Sequence, residues 1–217
     1  MWTYEGIRVR WLGHDGFVLS GSRTVIIDPF KAKGDYKADV LLITHEHFDH
    51  LSDEDIRKFV TPATTIVAPK ICEEPLKPYG QEKLFVKPGS SIEAKGVKIE
   101  AVPAYNLNKF REPGKVFHPR EDGRVGYIVT VDGVRFYQAG DSDATPELKS
   151  VDVDVAFLPV SGTYVMTAEE AAEAAKGMKA KVVVPMHFQS IVGTKADAER
   201  FKQLLGASKT VKILEQE

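Results

Sequence analysis

Short apolar runs that end in an acid or a histidine recur along this chain, and they constrain its fold more than any other feature. Asp28, the segment 45–50, Asp141 and His187 each follow such a run. The runs are short, rich in Val and Ile and bounded by turn residues, which is typical of β-strands. Because an unpaired polar side chain is costly to bury at the end of a core strand, we expect these strand ends to converge on one site.

The hydrophobic pattern predicts sheets with helices outside them. Strands are expected at residues 7–12, 16–20, 24–27, 39–44, 65–68, 83–87, 97–103, 125–131, 134–138, 153–158, 181–185 and 210–214. Helices are expected after Ser52 and over residues 167–178 and 195–205. Capping-box patterns at Ser52 and Thr167 mark two helix starts, and Asp132-Gly133 predicts a tight hairpin. Residues 105–124 show no period and predict a long functional or mobile loop.

Composition narrows the class of protein. The chain has 217 residues, 43% hydrophobic and 28% charged, with a formal net charge of -2. These values predict one globular domain over residues 1–217 and argue against broad binding of nucleic acid or anionic lipid. The pattern predicts no transmembrane span and no signal peptide, so we expect a cytoplasmic protein. Its single Cys72 cannot form an internal disulfide. Few Asn and Gln beside many Lys and Glu suggest a thermophilic source.

Three of the six histidines lie within six residues, in Thr44-His45-Glu46-His47-Phe48-Asp49-His50. A chain of this composition would contain His-x-His-x-Asp-His by chance only about 3 times in 10,000. Imidazole and carboxylate together suit zinc, manganese or iron, and the two-residue spacing lets His45 and His47 bind one ion. Asp49 and His50 would then face a second ion. The alternative interpretation is a solvated polar loop.

Two adjacent metal ions call for a carboxylate between them, and Asp141 is the candidate. It follows the strand after the predicted hairpin, and Gly140 permits the turn that would direct it inward. An isolated Gly-Asp pair is equally typical of a simple turn. His187 closes another apolar strand, and Asp28 repeats the arrangement.

These features together resemble the metallo-β-lactamase-fold hydrolase superfamily. The resemblance covers nearly the whole chain and rests on Asp28, the segment 45–50, Gly140-Asp141 and His187. The branch of UlaG-like lactone hydrolases and the N-acyl-phosphatidylethanolamine phospholipase is most similar at residues 11–17, 138–142 and 184–188. The resemblance implies an α/β fold: a four-layer αββα sandwich of two mixed sheets with helices on the outer faces. It also implies a dinuclear metal site at one edge between the sheets.

One residue departs from the family pattern. Members normally supply a third histidine to the first metal, and in this branch it stands at the position of Asn106. His118 in the same connection and His14 at the end of the first long strand are the candidate replacements, each with a non-ligand position as its alternative. Asn106 could itself ligate through its carbonyl oxygen, although a neutral amide is a poor zinc ligand. We favour His118 slightly, while His14 has the steadier anchor of a strand end.

The predicted function is a metal-dependent hydrolase in which a hydroxide bound by two divalent ions attacks an ester, lactone or phosphoester. Zinc is the favoured ion, with manganese, nickel and iron as alternatives. Asp49 would orient the nucleophile and shuttle its proton, and Asp141 would bridge the ions. Asp28 would fix the tautomer of a ligand histidine from outside the ligand set, where Asn106 is also a candidate.

The substrate is expected to be a small molecule, and the sequence does not identify it or its binding residues. Lys109, Arg111, Lys115 and Arg120 could favour an anion, although exposed Lys and Arg are common on any surface. The alternative function is a non-hydrolytic metal-binding or iron-dependent redox module, which the same fold would accommodate. Nucleic-acid processing is disfavoured by the negative net charge, and no oligomeric state is predicted.

Overall fold

Two seven-stranded sheets make up most of the computed structural model, which describes residues 1–217. The strands of the first sheet, in chain order and in spatial order, are β1 (Trp2–Tyr4), β2 (Ile7–Gly13), β3 (Gly16–Ser20), β4 (Thr24–Ile27), β5 (Val40–Leu42), β6 (Thr65–Pro69) and β7 (Glu82–Val86). Neighbouring strands are antiparallel from β1 to β4 and parallel from β4 to β7. The first half of the sheet is therefore an antiparallel meander, built from the strands predicted at residues 7–12, 16–20 and 24–27 together with β1.

The second sheet has the same mixed character. The remaining strands are β8 (Ser91–Ala94), β9 (Val97–Pro103), β10 (Phe110–Glu112), β11 (Lys115–Val116), β12 (Val125–Val131), β13 (Val134–Gln138), β14 (Asp152–Pro159), β15 (Lys179–Met186) and β16 (Thr210–Val211). Seven of them pair in the order β16-β15-β14-β13-β12-β9-β8, while β10 and β11 form a separate hairpin. Asp132 and Gly133 join β12 to β13 with φ of 49° and 84°, the left-handed conformations of the predicted tight turn.

Five short helices accompany the sheets. They are α1 (Asp53–Phe59), α2 (Glu73–Leu76), α3 (Pro146–Lys149), α4 (Ala168–Gly177) and α5 (Lys195–Leu205). The Ser52 side chain accepts a hydrogen bond from the Asp55 N–H at the start of α1. Thr167 and Glu170 form a reciprocal capping box at the start of α4. Both caps satisfy backbone groups that a helix end leaves unpaired, as the sequence predicts.

Alternate residues of the first sheet face two different cores. Phe17 lies between the sheets and stacks on Phe157 of the second sheet, with ring centroids 4.0 Å apart. Its neighbour Val18 lies on the opposite face, in a smaller core with Ile56 of α1. The buried residues of α4 and α5 pack on the second sheet. The order of helix, sheet, sheet and helix is the predicted four-layer sandwich.

The topology brings the ends of six strands to one edge. β2, β4 and β5 run in the same direction in the first sheet, and β9, β13 and β15 run in the same direction in the second. Gln138 at the end of β13 donates to Asp28 after β4 at 3.3 Å, which joins the two sheets there. Side chains that follow these six strands can therefore meet.

The segment 105–124 is more ordered than the sequence predicts, because it contains the β10–β11 hairpin and a 3-10 helix at Arg120–Asp122. The prediction also lacks β1, β8, α2 and α3. These elements have only three or four residues each, which is too short to show a hydrophobic period. No helix of the structure has the length and apolar character needed to cross a membrane.

Candidate metal centre

Three of the predicted site residues come directly after a strand. His14 follows β2, Asp28 follows β4 and His187 follows β15. Their φ angles are 49°, 40° and 60°, in the left-handed region that costs a non-glycine residue about 1–3 kcal/mol. Such strain persists only where the surrounding structure imposes it, and it concentrates at functional sites.

His45, His47, His118 and Asp141 form the first ligand group, in which all ligand atoms lie within 4.8 Å of one another. His47 Nδ1 is 3.0 Å from His45 Nε2 and 3.4 Å from His118 Nε2. Asp141 Oδ2 is 3.6 Å from His118 Nε2 and 3.9 Å from His45 Nε2. These separations suit four ligands around one ion, with bonds of about 2 Å.

His14, Asp49, His50 and His187 form the second ligand group. Asp141 joins it through its other oxygen, since Oδ1 is 3.3 Å from both His50 Nε2 and His187 Nε2. Asp49 Oδ2 is 3.0 Å from His14 Nε2 and 3.8 Å from His50 Nε2. Asp141 thus presents one oxygen to each group, which is the arrangement expected of a bridging carboxylate.

Three ligand atoms of this centre are buried without any hydrogen-bond partner. They are His50 Nε2, His187 Nε2 and Asp141 Oδ1. A buried polar atom without a partner is costly, and a divalent ion would bind both imidazole nitrogens and the carboxylate oxygen. The residues present therefore fit a metal centre.

Two of the three imidazoles of the second group are oriented through their other nitrogen. His50 Nδ1 is 2.8 Å from Asp28 Oδ2, and His187 Nδ1 is 2.8 Å from Ser161 Oγ. A partner on Nδ1 fixes the ring and leaves Nε2 to face the centre, as second partners of metal-binding histidines do. Asp28 thus contacts His50 on the side of the ring that faces away from the ligand groups.

Asn106 holds His118 in the first group. Asn106 Oδ1 accepts a hydrogen bond from the His118 backbone N–H at 3.0 Å and lies 2.8 Å from His118 Nδ1. Asn106 Nδ2 donates to the Tyr164 carbonyl oxygen at 2.9 Å, which fixes the orientation of the amide. The favoured candidate His118 therefore lies in one group with His45, His47 and Asp141. The other two candidates lie elsewhere: His14 Nε2 faces Asp49 in the second group, and Asn106 contacts the His118 imidazole from outside the ligand groups.

Burial keeps several of these imidazoles neutral, which is the form that binds metal. Burial lowers the pKa of His118 to about 4 and lowers the pKa of His45 well below its usual value. Burial also lowers the pKa of His14 to about 4, although the hydrogen bond to Asp49 opposes this. Burial alone would raise the pKa of Asp141, but the neighbouring imidazoles hold it well below its usual range.

Glu46, between two histidines of the first group, is held by a buried arginine. Arg124 Nε donates to Glu46 Oε2 at 3.0 Å, its Nη2 donates to Oε1, and its Nη1 donates to Asp122 Oδ2 at 2.6 Å. Burial would raise the pKa of Glu46, but the hydrogen bond from Arg124 lowers it overall. A two-point contact of this kind fixes geometry as well as charge, so it orients the histidine segment.

Sequence reasoning missed three further polar residues at the centre. Asp15 is fully buried, has no partner for either carboxylate oxygen, and lies 3.7 Å from His50 Nε2. Thr44 donates its hydroxyl to Asp28 at 2.5 Å, and Ser161 orients a histidine as described above. Asp15 follows a strand end and could have been found by that signal. Ser and Thr at strand ends are too common to be informative.

A cavity of about 380 Å³ opens onto both ligand groups. Its lining combines ligand residues with an apolar wall, and consists of His47, Phe48, Asp49, Phe117, His118, Asp141, Tyr164, Ile191 and Val192. A larger cavity of about 620 Å³ lies beside α5 and β16 and has no histidine in its lining. The chemistry therefore belongs to the smaller cavity.

The basic residues of the segment 105–124 do not line this cavity. Lys109, Lys115 and Arg120 each form an ion pair with a glutamate, and Arg111 is exposed at the β10–β11 hairpin. The basic face that could have favoured an anion is therefore not formed at the site. These residues correspond to the alternative, an ordinary solvated surface.

Fold and ligand geometry together define a protein of the metallo-β-lactamase class. A family model described as "Beta-lactamase superfamily domain" matches residues 8–187. A UPF0173 metal-dependent hydrolase from Methanoculleus marisnigri is 34% identical over 215 residues, covering 95% of this chain and 92% of that protein. The chain belongs to this superfamily and is a metal-dependent hydrolase.

Solved structures agree with this family. One from Parabacteroides distasonis has 36% identity and a TM-score of 0.82, and the match covers 97% of this chain and 94% of that chain. Igni18, a metallo hydrolase from Ignicoccus hospitalis, has 24% identity and a TM-score of 0.78, with 97% and 95% covered. Igni18 shows likeness of fold alone. The family and fold that the sequence predicts are confirmed.

Proposed function

We propose that this chain hydrolyses an ester, lactone or phosphoester bond of a small molecule at a centre of two divalent ions. The observation that carries the proposal is the position of Asp141, whose two oxygens face separate groups of ligand atoms. The residues that would hold the ions are His45, His47 and His118 for the first, and Asp49, His50 and His187 for the second.

Zinc is the ion that we propose for the first position, because three imidazole nitrogens and one carboxylate oxygen are a common zinc ligand set. Manganese, nickel and iron bind the same ligand types. When bound, divalent ions supply Lewis acidity, which lowers the pKa of a water and stabilises negative charge developing on a substrate oxygen.

Asp49 is the residue that we propose to move the proton. Its carboxylate lines the cavity, and its Oδ2 is 3.0 Å from His14 Nε2. Burial would raise the pKa of Asp49, but the hydrogen bond with His14 lowers it overall. Asp49 is therefore ionised near neutral pH and can accept a proton from water and deliver it to the leaving group. His14 orients the carboxylate.

An iron-dependent redox module is the other function that the sequence allows. That alternative depended on an incomplete set of histidines at the first metal position. The proximity of His118 to His45, His47 and Asp141 supports a complete set, and the curated relatives are described as metal-dependent hydrolases. Both observations favour hydrolysis.

Hydrolysis assays with defined metal content test the proposal. The protein is stripped of metal, reloaded with zinc or manganese, and assayed with p-nitrophenyl esters, aryl lactones and bis-p-nitrophenyl phosphate. We expect turnover of at least one class that requires two ions per chain and is lost in Asp141→Asn. Asp55→Asn is the matched control, because Asp55 is 3% exposed and Asp141 4%, while Asp55 binds the backbone of Lys31 and Ala32 instead. Equal turnover in Asp141→Asn and wild type would contradict the proposal.

A further inference from the structure

Asp15 is a buried carboxylate for which the protein provides no partner. It is 0% exposed, and neither of its carboxylate oxygens has a hydrogen-bond partner. The one basic side chain within 4 Å of its carboxylate is His50, whose Nε2 is 3.7 Å from Oδ2. A carboxylate is strongly disfavoured in the interior unless a cation or hydrogen-bond donors compensate it. No hydrogen-bond donor of the protein reaches either carboxylate oxygen, so the position suits a bound cation.

The unpaired atoms around Asp15 face one another. The ligand atoms of Asp15, His50, Asp141 and His187 all lie within 4.8 Å, and the three facing atoms of the other residues are also without hydrogen-bond partners. The Asp15 carbonyl oxygen accepts a hydrogen bond from Gln138 Nε2 at 3.2 Å, which anchors this turn to the second sheet. The backbone thus holds the carboxylate toward the cluster.

We propose that Asp15 is an additional ligand of the second ion. This inference rests on the proposed two-ion centre and adds a ligand to it. The second position would then have carboxylates from Asp15, Asp49 and Asp141 beside two imidazoles, whereas the first has three imidazoles and one carboxylate. Carboxylates suit manganese and imidazoles suit zinc. The two positions therefore differ in preference, with zinc at the first and manganese or iron(II) at the second.

Metal binding by Asp15→Asn tests this inference without any activity assay. Wild type and variant are titrated with Mn²⁺, and bound manganese is counted by electron paramagnetic resonance and elemental analysis. We expect the affinity for one of the two manganese ions to fall at least about 10-fold, which reaches the range typical of losing an indirect partner of a metal ligand. The affinity for the other ion should be unchanged. Asp55→Asn, which removes a buried carboxylate with its own backbone partners, should bind manganese as wild type does.

Thermal stability distinguishes a ligand from a structural residue. If Asp15 is a metal ligand, Asp15→Asn should raise the melting temperature of the metal-free protein. The variant should also reduce the increase in melting temperature that manganese produces. Unchanged manganese affinity in a folded variant overturns the inference. Should the variant not fold, anomalous diffraction from manganese-soaked wild-type crystals decides, because a ligand oxygen must lie within about 2.3 Å of the ion. A wild type that binds no metal would instead overturn the two-ion centre itself.

The wall of the active-site cavity carries an independent inference about the substrate. The large hydrophobic side chains that are exposed in this protein are Met1, Phe48, Leu107, Phe110, Tyr164 and Ile191. Phe48, Tyr164 and Ile191 line the cavity. Exposed apolar groups that gather at one place mark a binding surface more often than chance. Half of the large exposed hydrophobic side chains thus lie beside the ligand groups.

The shape of this wall suits an organic group next to the reacting bond. Phe117 and Tyr164 meet edge to face, with ring centroids 4.4 Å apart, and Ile191 and Val192 complete the wall. The Tyr164 carbonyl oxygen accepts from Asn106, which ties the wall to the residue that holds His118. No Lys or Arg lines the cavity, so no basic side chain of the wall could pair with an anionic group on the part of the substrate that lies against it.

We infer that the substrate is a neutral ester or lactone with an apolar acyl or aryl group that packs on this wall. This inference deepens the proposed hydrolase function and depends on it for the reaction. Each methylene that the wall covers should raise kcat/KM about threefold to fourfold. A carboxylate at the end of the acyl chain should remove that gain, since it would be desolvated without a partner.

A series of p-nitrophenyl esters from acetate to octanoate, with the hemisuccinate as the anionic member, tests the substrate class. We expect kcat/KM to rise along the neutral series and the hemisuccinate to react at least about 10-fold more slowly than the pentanoate. Ile191→Ser should flatten the rise. Phe110→Ser removes another exposed apolar side chain, one that does not line the cavity, and it should leave the series unchanged. A flat series, or a preference for the hemisuccinate, overturns the inference.

A binding measurement tests the apolar wall independently of the proposed reaction. Calorimetric titration of zinc-loaded Asp49→Asn with neutral hexananilide and with anionic succinanilate measures the affinity of the cavity for each compound without turnover. Tighter binding of hexananilide than of succinanilate, weakened by Ile191→Ser, would support the apolar wall. If such binding is found but no ester is turned over, the proposed reaction is wrong and the inference about the wall stands. Equal or weaker binding of hexananilide overturns the inference about the substrate.

Discussion

Asn106 Oδ1 lies 2.8 Å from His118 Nδ1 and also accepts the His118 backbone N–H. An amide oxygen only accepts hydrogen bonds, so Nδ1 of this imidazole must carry the proton. The Nε2 lone pair is then free and points toward His47 and Asp141. Asn106 therefore sets the tautomer of His118.

Asn106→Leu should weaken one metal position and leave the other intact. Without the acceptor, His118 can adopt either tautomer, and we expect the affinity of one equivalent of zinc to fall about 10–100-fold. Competition with a chromogenic chelator measures the affinity for each of the two zinc ions. Asn106→Asp keeps an acceptor and should retain most of the affinity, whereas His118→Ala should lose more than either. Wild-type affinity in both Asn106→Leu and His118→Ala would show that His118 is no ligand.

Asp49→Asn should abolish turnover and preserve the fold. The amide cannot accept the proton, and loss of a general base typically costs about 10²–10⁴ in rate. Asp49 lies in a loop and lines the cavity, so it contributes little to packing. Activity is compared with a melting curve and with metal content. Full activity of Asp49→Asn with metal bound would show that a group other than Asp49 transfers the proton.

Arg124→Met should act through Glu46. The arginine holds both carboxylate oxygens of Glu46, so its loss frees the segment that carries His45 and His47. We expect weaker zinc binding at one position and a lower melting temperature. In a double-mutant cycle, Glu46→Gln in the Arg124→Met background should cost less than it does alone. Strictly additive effects would mean that the pair does not position the histidines.

Metal removal should lower thermal stability. Several carboxylates of the centre are buried close together, and two of them have unpaired oxygens. Ligand binding at 100 times Kd stabilises by about 2.7 kcal/mol, which corresponds to roughly 5–10 °C for a chain of this size. Melting curves with and without a chelator check this. An unchanged midpoint after complete metal removal would contradict a metal held in the folded interior.

The sequence predicts most of the sheet structure, because strands such as β9, β12 and β15 have seven or eight residues and show their pattern locally. The helix starts at Ser52 and Thr167 are also predictable, since each cap involves a residue only three positions away. The β10–β11 hairpin has two and three residues per strand. Its structure depends on what it packs against, and no local pattern reveals it.

The site is predictable where its residues follow strands and unpredictable where partners are distant. The segment 45–50 can be recognised from the spacing of its three histidines and Asp49. Arg124 lies 78 positions from Glu46, and nothing in the sequence links them. His118 reaches the site because its loop folds back onto Asn106, a contact that only the tertiary structure supplies.

Anomalous diffraction at the zinc absorption edge, from crystals of the zinc-loaded protein, tests the central claim most directly. We expect two peaks per chain on opposite sides of the Asp141 carboxylate, one beside His45, His47 and His118 and the other beside Asp49, His50 and His187. A single peak at saturating zinc, or two peaks that do not share Asp141, would contradict the two-ion centre.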